Sequence, residues 1–333
     1  MKINNFDFLR FVAATMVILS HSYPLSEGNK DNEFFLNITH GQMDLGAIGV
    51  AIFFIMSGYL ITGSYLRRDD ILFFAKARTL RMIPALVFAT VFCVSLGAIL
   101  TTTPLKEYFT DSQTAKFMLN MIPVKIHYLL PGVFEGNVYK GAVNGSLWTI
   151  PYEVLCYFMV ALLGLTKKIK LKYSIMIFFT TLILSSLHLS LAFNFIKYFS
   201  AGMIFFLLKD KIIYNNKMAL ISLILLFISA QTIQLNSLMP IFGGYLIFYV
   251  SFSKKINLHN FGKYGDLSYG MYVYAFPIQQ TVVHLHGGSM NPIENFLITT
   301  PITIAIAYLS WKFIESPALS LKDKRFISLK KTT

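Results

Sequence analysis

Arg10 and His21 stand eleven residues apart in FDFLRFVAATMVILSHSY (6–23), an apolar run long enough to enter a bilayer. At ~100° per residue that spacing completes ~1100°, three turns plus ~20°, so both side chains point from one face of a helix. At ~1.5 Å rise they sit ~16 Å apart, about half the thickness of the hydrocarbon core. A guanidinium and an imidazole are costly to keep inside a membrane, so a stripe that carries both is a functional site by default. Imidazole, with a reference pKa near ~6.5, takes and returns a proton near neutral pH. The guanidinium suits either snorkelling to the nearer membrane surface or pairing with a phosphate or carboxylate.

Three more charged groups could do chemistry. Arg78 and Arg81 stand at i, i+3 in ARTLRMIP, where a helical start projects both guanidiniums from one face as a clamp for phosphates. Glu153 lies seven residues into the run opened by GSLWTIPYEVLCYF, whereas the other acids sit in loops or near the ends of apolar runs. That places it ~10 Å below the outer surface, where a carboxylate needs a proton or a partner, and His21 or an arginine would serve. Paired with His21, Glu153 would orient and charge-stabilise the imidazole as the carboxylate of a hydrolase triad does. His284 and His286 have no acid or thiol nearby to complete a metal site, so no metal is expected. Asn144-Gly-Ser146 matches a glycosylation sequon.

The elements that must position these groups follow from composition. Of 333 residues, 55% are hydrophobic and 14% charged, against roughly 25% charged in a soluble domain. The pattern predicts an all-α polytopic membrane protein, one domain over 1–333, with about ten transmembrane helices. The expected spans are 6–23, 45–64, 83–102, 147–165, 173–191, 195–208, 217–234, 237–252, 267–284 and 294–314. Arg10 interrupts the first run and no small-residue cleavage site precedes SYPLSEGNK, so that run reads as a retained span rather than a signal peptide. With Met1 in the cytoplasm, 22 lysines and arginines fall on inner segments and 6 on outer ones (Lys30, Lys106, Lys116, Lys125, Lys140, Lys197), Arg10 lying within a span. The positive-inside rule therefore puts both termini in the cytoplasm, and the net charge of +13 reads as topology rather than nucleic-acid binding. Two outer connections are long, 24–44 and 103–146, and the second contains MLNMIPVKIHYLLPGVF as a candidate interfacial helix. Cys93 and Cys156 fall inside apolar runs, which argues against a disulfide.

FDFLRFVAATMVILSHS, GAIGVAIFFIMSGYLIT, ARTLRMIP, NGSLWTIPYEV, DLSYGMYVYAFPIQQ and WKFIESPAL occur in this order, and together they resemble the membrane acyltransferase-3 family from Phe6 to about Leu319. The resemblance implies a ten-helix core in a bacterial plasma membrane. Such a core takes an acyl group, typically acetyl from cytoplasmic acetyl-CoA, and places it on a carbohydrate hydroxyl outside, as in O-antigen, capsule or exopolysaccharide. Acyl-CoA would be a co-substrate, with no permanently bound cofactor. The family's Arg-x10-His motif matches Arg10 and His21, its cytoplasmic Arg-x-x-Arg matches Arg78 and Arg81, and its Ser-Leu-Trp…Glu segment matches Ser146, Trp148 and Glu153. On this reading Arg78 and Arg81 hold the phosphates, Arg10 guides the pantetheine arm, and His21 with Glu153 acts on the sugar hydroxyl or first accepts the acetyl group. Ser146, Trp148 and Tyr152 would line the outer mouth. Many relatives have His where this chain has Ala275, so no second histidine is expected here, and no fused esterase-like domain is expected either. The alternative from the residues alone is a proton-coupled transporter or flippase using Arg10, His21 and Glu153 as a relay. No inverted repeat favours it.

Overall fold

A computed structural model describes residues 4–232, 234–253 and 255–323. The chain ends, and with them Lys2, Lys254, Lys324, Arg325, Lys330 and Lys331 of the charge pattern, lie outside these residues. Helices dominate: α1 (Phe6–Glu27), α2 (Leu45–Arg68), α3 (Ile71–Leu100), α4 (Ile150–Leu165), α5 (Leu171–Ser186), α6 (Leu191–Leu207), α7 (Asn216–Gln231), α8 (Leu235–Phe252), α9 (Ser268–Leu285) and α10 (Pro292–Ser310). The described residues contain no strand, only an isolated bridge between Leu129 and Ala142. By length and composition α1, α2, α3, α8, the Gly145–Leu165 helix and the Pro292–Asp323 helix can each cross a membrane, while α5, α6 and α7 are shorter apolar helices. This is an all-α polytopic membrane protein.

Every expected span contains a helix, but the third begins at Ile71 instead of 83. Reading the charged stretch before Met82 as a loop fails because Asp70 starts a helix there, accepting hydrogen bonds from the amides of Leu72 (2.9 Å) and Phe73 (3.1 Å). At 30 residues α3 is ~45 Å long and outreaches the ~30 Å hydrocarbon core, so its first turns can carry arginines. Lys197, counted above among outer loop charges, lies inside α6 and is fully buried.

α1 is central, packed against α2, α9 and α10. α2 in turn crosses α6 at glycines. A Cβ on Gly58 would lie 1.9 Å from the Phe199 carbonyl oxygen, and one on Gly202 would lie 2.0 Å from that of Ile55. Small residues at such crossings let membrane helices approach backbone to backbone.

The two long connections, 24–44 and 103–146, are ordered by their own contacts. In 24–44, the buried Glu33 carboxylate accepts from the amides of Leu36 and Leu45 (3.2 Å to the latter), tying the loop to the start of α2. The 103–146 connection encloses a small core around Tyr108, Phe117, Leu130 and Phe134. The interfacial helix expected at 118–134 is absent: after Leu119–Met121 the chain turns, because Asn120 donates to the His127 carbonyl (2.7 Å) and accepts from its amide (2.8 Å) around Pro123. Asn137 and Asn144 fasten this connection to α9, donating to the Gln280 side chain (2.8 Å) and the Val273 carbonyl (2.8 Å). The sequon asparagine, Asn144, is therefore buried and engaged.

Candidate active site

The α1 stripe lines two cavities. Arg10 faces one of about 840 Å³, whose walls also carry Arg78, Arg81, Glu153, Tyr157 and Tyr269. His21 faces another of about 930 Å³, with Lys30, Asp44, Trp148, Asn194 and Asn236 in its walls. Val50 and Tyr272 line both, so the cavities lie back to back. The Tyr272 hydroxyl pairs with Thr149 Oγ1 at 2.6 Å. We call them the inner and outer cavities, following the charge pattern.

The inner cavity is built around ion pairs that the spacing of the arginines does not reveal. Asp266, just before α9, receives Arg81 Nη2 at 2.5 Å and Arg10 Nη1 at 3.1 Å on the same oxygen, Oδ2. Burial alone would raise its pKa, but the two guanidiniums and the hydrogen bonds from Ser268 hold the carboxyl well below the usual carboxylate range. Arg81 also lies 3.9 Å from Glu315, in the π-turn that follows α10. Asp266 thus joins the first turns of α1, the first turns of α3 and the start of α9. Two of the three arginines expected to bind acyl-CoA, Arg10 and Arg81, already have a carboxylate. The third, Arg78, has no carboxylate within ion-pair distance among the described residues and sits over the Tyr157 ring at 5.9 Å. Its Nε, like that of Arg10, is buried without a hydrogen-bond partner among the described residues.

Glu153 faces this inner cavity, where the Tyr157 hydroxyl donates to it. It is not brought to His21. The carboxylate on the histidine's side is Asp44, which caps α2 through the Ala47 amide (2.6 Å) and pairs with Lys30. Burial raises the pKa of Asp44, but Lys30, the Ala47 amide and His21 together lower it, so it stands ionised in the same cavity as the imidazole. Among the described residues His21 Nδ1 is buried without a hydrogen-bond partner, and the ring packs edge-on against Phe276 at 5.5 Å. An unpaired imidazole nitrogen beside a carboxylate–lysine pair can act as a base.

Ser146, Trp148 and Tyr152, expected at the outer mouth, are placed differently, and Trp148 faces open space. It lines the His21 cavity and also a surface cleft of about 1040 Å³ formed with Tyr128, Tyr139 and Lys140. Tyr152 stacks on Phe195 at 4.7 Å and lines neither space, and Ser146 is buried with an unpartnered hydroxyl. Ala275 packs with Ala14 and Ile18 of α1 in a small apolar cluster.

Compared with known proteins, residues 3–312 match the profile of the acyltransferase-3 family, described as an acyltransferase domain. The chain belongs to the acyltransferase-3 family. An O-acetyl transferase of Shigella phage Sf6 is 30% identical, the alignment covering 96% of this chain and 99% of the phage protein. Nodulation protein 10 of Rhizobium leguminosarum bv. viciae is 27% identical over 96% of this chain and 94% of its own length. The O-acetyltransferase OatA of Staphylococcus aureus is 25% identical over 86% of this chain and 55% of OatA. No solved structure matches. The chain is thus a membrane acyltransferase. Asp44, Asp266 and Glu315 were the groups that sequence reasoning left without a role. Two of them stand inside motifs that carry the family resemblance, Asp266 opening DLSYGMYVYAFP and Glu315 closing WKFIE.

Proposed function

We propose that this chain moves an acetyl group from cytoplasmic acetyl-CoA to a hydroxyl of an extracytoplasmic carbohydrate. The observation that carries this reading is that one stripe of α1 lines both cavities, Arg10 in the inner and His21 in the outer. The reading places ten spans and both termini as the charge pattern suggests, in a bacterial plasma membrane, with the whole chain as one membrane domain.

Arg78, with donors free of carboxylate, meets a donor phosphate at the inner mouth, while Arg10 and Arg81, held by Asp266, shape the passage. Glu153 and Tyr157 flank it. A pantetheine arm is thin and extended, and the ~16 Å from Arg10 to His21 is within its reach. It brings the thioester past Val50 and Tyr272 to His21. There the imidazole removes the proton of a sugar hydroxyl as its oxygen attacks the thioester carbon. The C–S bond breaks, and the departing CoA thiolate takes the proton from the imidazolium. In the two-step variant an imidazole nitrogen attacks the thioester carbon and the C–S bond breaks to give acetyl-histidine and CoA thiolate; the sugar hydroxyl then attacks the acetyl carbon, its proton passes to the thiolate, and the C–N bond breaks to restore the imidazole. Asp44 stabilises the imidazolium in either course. Trp148, between the outer cavity and the surface cleft, offers a ring face for a sugar.

The test is mass spectrometry of surface glycans from cells fed labelled acetate, with and without the gene. A labelled acetyl-sized mass increment that depends on the gene is the expected result. Glycans of unchanged composition would overturn the reading.

A further inference from the structure

Lys197 is fully buried in α6, and no carboxylate pairs with it among the described residues. Its ammonium donates instead to three neutral oxygens: Ser185 Oγ (3.2 Å), Asn194 Oδ1 (3.1 Å) and Asn236 Oδ1 (3.2 Å). An ammonium has three N–H donors and accepts nothing, so both amides must turn their oxygens toward it. That settles which way each carboxamide points.

Three carboxamides line the outer cavity beside His21, and their remaining hydrogen bonds can be counted. Gln42 is used up: its nitrogen donates to the Ala230 carbonyl (2.8 Å) and to that of Thr232, and its oxygen accepts from the Leu235 amide (2.9 Å). Asn236 is occupied at both ends, its oxygen accepting from Lys197 and the Tyr198 hydroxyl (2.6 Å) and its nitrogen donating to Asn194 Oδ1 (3.2 Å). Asn194 accepts twice on its oxygen, and its NH2 has no hydrogen bond among the described residues. The group left over is a donor on the cavity wall, next in sequence to Phe195, whose ring meets Trp148 at 5.4 Å. An aromatic wall with a fixed amide donor suits a pyranose, whose hydroxyl or N-acyl oxygens accept hydrogen bonds while its C–H face packs on a ring.

We propose that Asn194 donates a hydrogen bond to an oxygen of the acceptor sugar, and that Lys197 is the positioning residue that holds the Asn194 amide in that orientation. This rests on the carbohydrate reading above. Lys197 spends its donors on the two asparagine oxygens, so Asn194 presents only N–H to the cavity and selects for an acceptor oxygen.

The test uses the full chain in lipid nanodiscs, [14C]acetyl-CoA, and the envelope glycan fraction of the host as acceptor. Asn194→Asp keeps the shape and gives Lys197 a carboxylate to pair with, but removes the donor. The half-saturating glycan concentration should rise about tenfold, the cost of one hydrogen bond left unmade, while the half-saturating acetyl-CoA concentration stays put. Asn194→Ser, a smaller change to the fold, should move in the same direction. Lys197→Met, which frees the amide to rotate, should also weaken glycan dependence more than acetyl-CoA dependence. Unchanged glycan dependence in both Asn194 variants, or an equal loss toward both substrates, would overturn the assignment. A wild type that labels no glycan would instead overturn the functional reading beneath it.

Discussion

At the scale of single residues, His21 differs from its neighbours in having an unpartnered nitrogen, buried where a base would have to be. If it is the base or the acetyl acceptor, His21→Ala should lower transfer by roughly 10²–10⁴-fold at unchanged protein level, measured with labelled acetyl-CoA. Arg78 and Arg81 should separate. Arg78→Ala removes the guanidinium with no carboxylate to leave behind, so the half-saturating acetyl-CoA concentration should rise about tenfold with little change in melting temperature. Arg81→Ala strips Asp266 of its nearer partner and should chiefly cost stability. Equal effects of the two on binding would contradict the division of labour. The arginines and the histidine were legible in the sequence because charge in a membrane run is conspicuous. Their partners were not: Glu153 was matched to His21 by depth alone. Depth says nothing of azimuth, and α4 turns Glu153 toward Tyr157 and the arginines. Asp44 went unread because an acid at a span boundary looks like an ordinary helix cap, which it also is.

At the scale of elements, Asp266 connects three helices through one carboxylate oxygen. Its pKa is depressed below the unfolded value of ~3.9, so its stabilisation is present in full above that value and is lost as pH falls through the folded one. This group should therefore leave the melting temperature in detergent flat from pH 7 to about 5 and contribute to a fall below ~4. Asp266→Asn, which leaves the partly buried Arg10 without its carboxylate and Arg81 with only Glu315 at 3.9 Å, should be less stable by about 3 kcal/mol at neutral pH and lack that part of the acid limb. An acid limb unaltered by Asp266→Asn would contradict the ion-pair account. The late start given to the third span has the same root. A hydropathy window stops at Lys76, Arg78 and Arg81, yet the helix runs through them because their cost is met by Asp266, Glu315 and the overhang beyond the bilayer core. A helix was readable at each expected span, since a bilayer demands ~20 apolar residues per crossing, whereas the interfacial helix expected at 118–134 had no such demand behind it and is absent.

At the scale of the whole molecule, the proposed transfer runs in the direction expected from the charge pattern. Cys93 and Cys156 are both buried, so cysteines introduced at the surface should report topology over a low background. Lys140→Cys, in the 103–146 connection, should react with an impermeant maleimide added to whole cells, and Lys167→Cys, after α4, only once the membrane is opened. The reverse pattern would turn the transfer path around. The most direct measurement of the central claim places acetyl donor and glycan on opposite sides of one membrane. In proteoliposomes oriented with the α2–α3 turn outward and host glycan sealed inside, external [14C]acetyl-CoA should label the enclosed glycan with wild-type protein and leave it unlabelled with His21→Ala. Equal labelling by the two proteins would contradict the account of His21 as the group that receives the acetyl donor at the end of the α1 stripe.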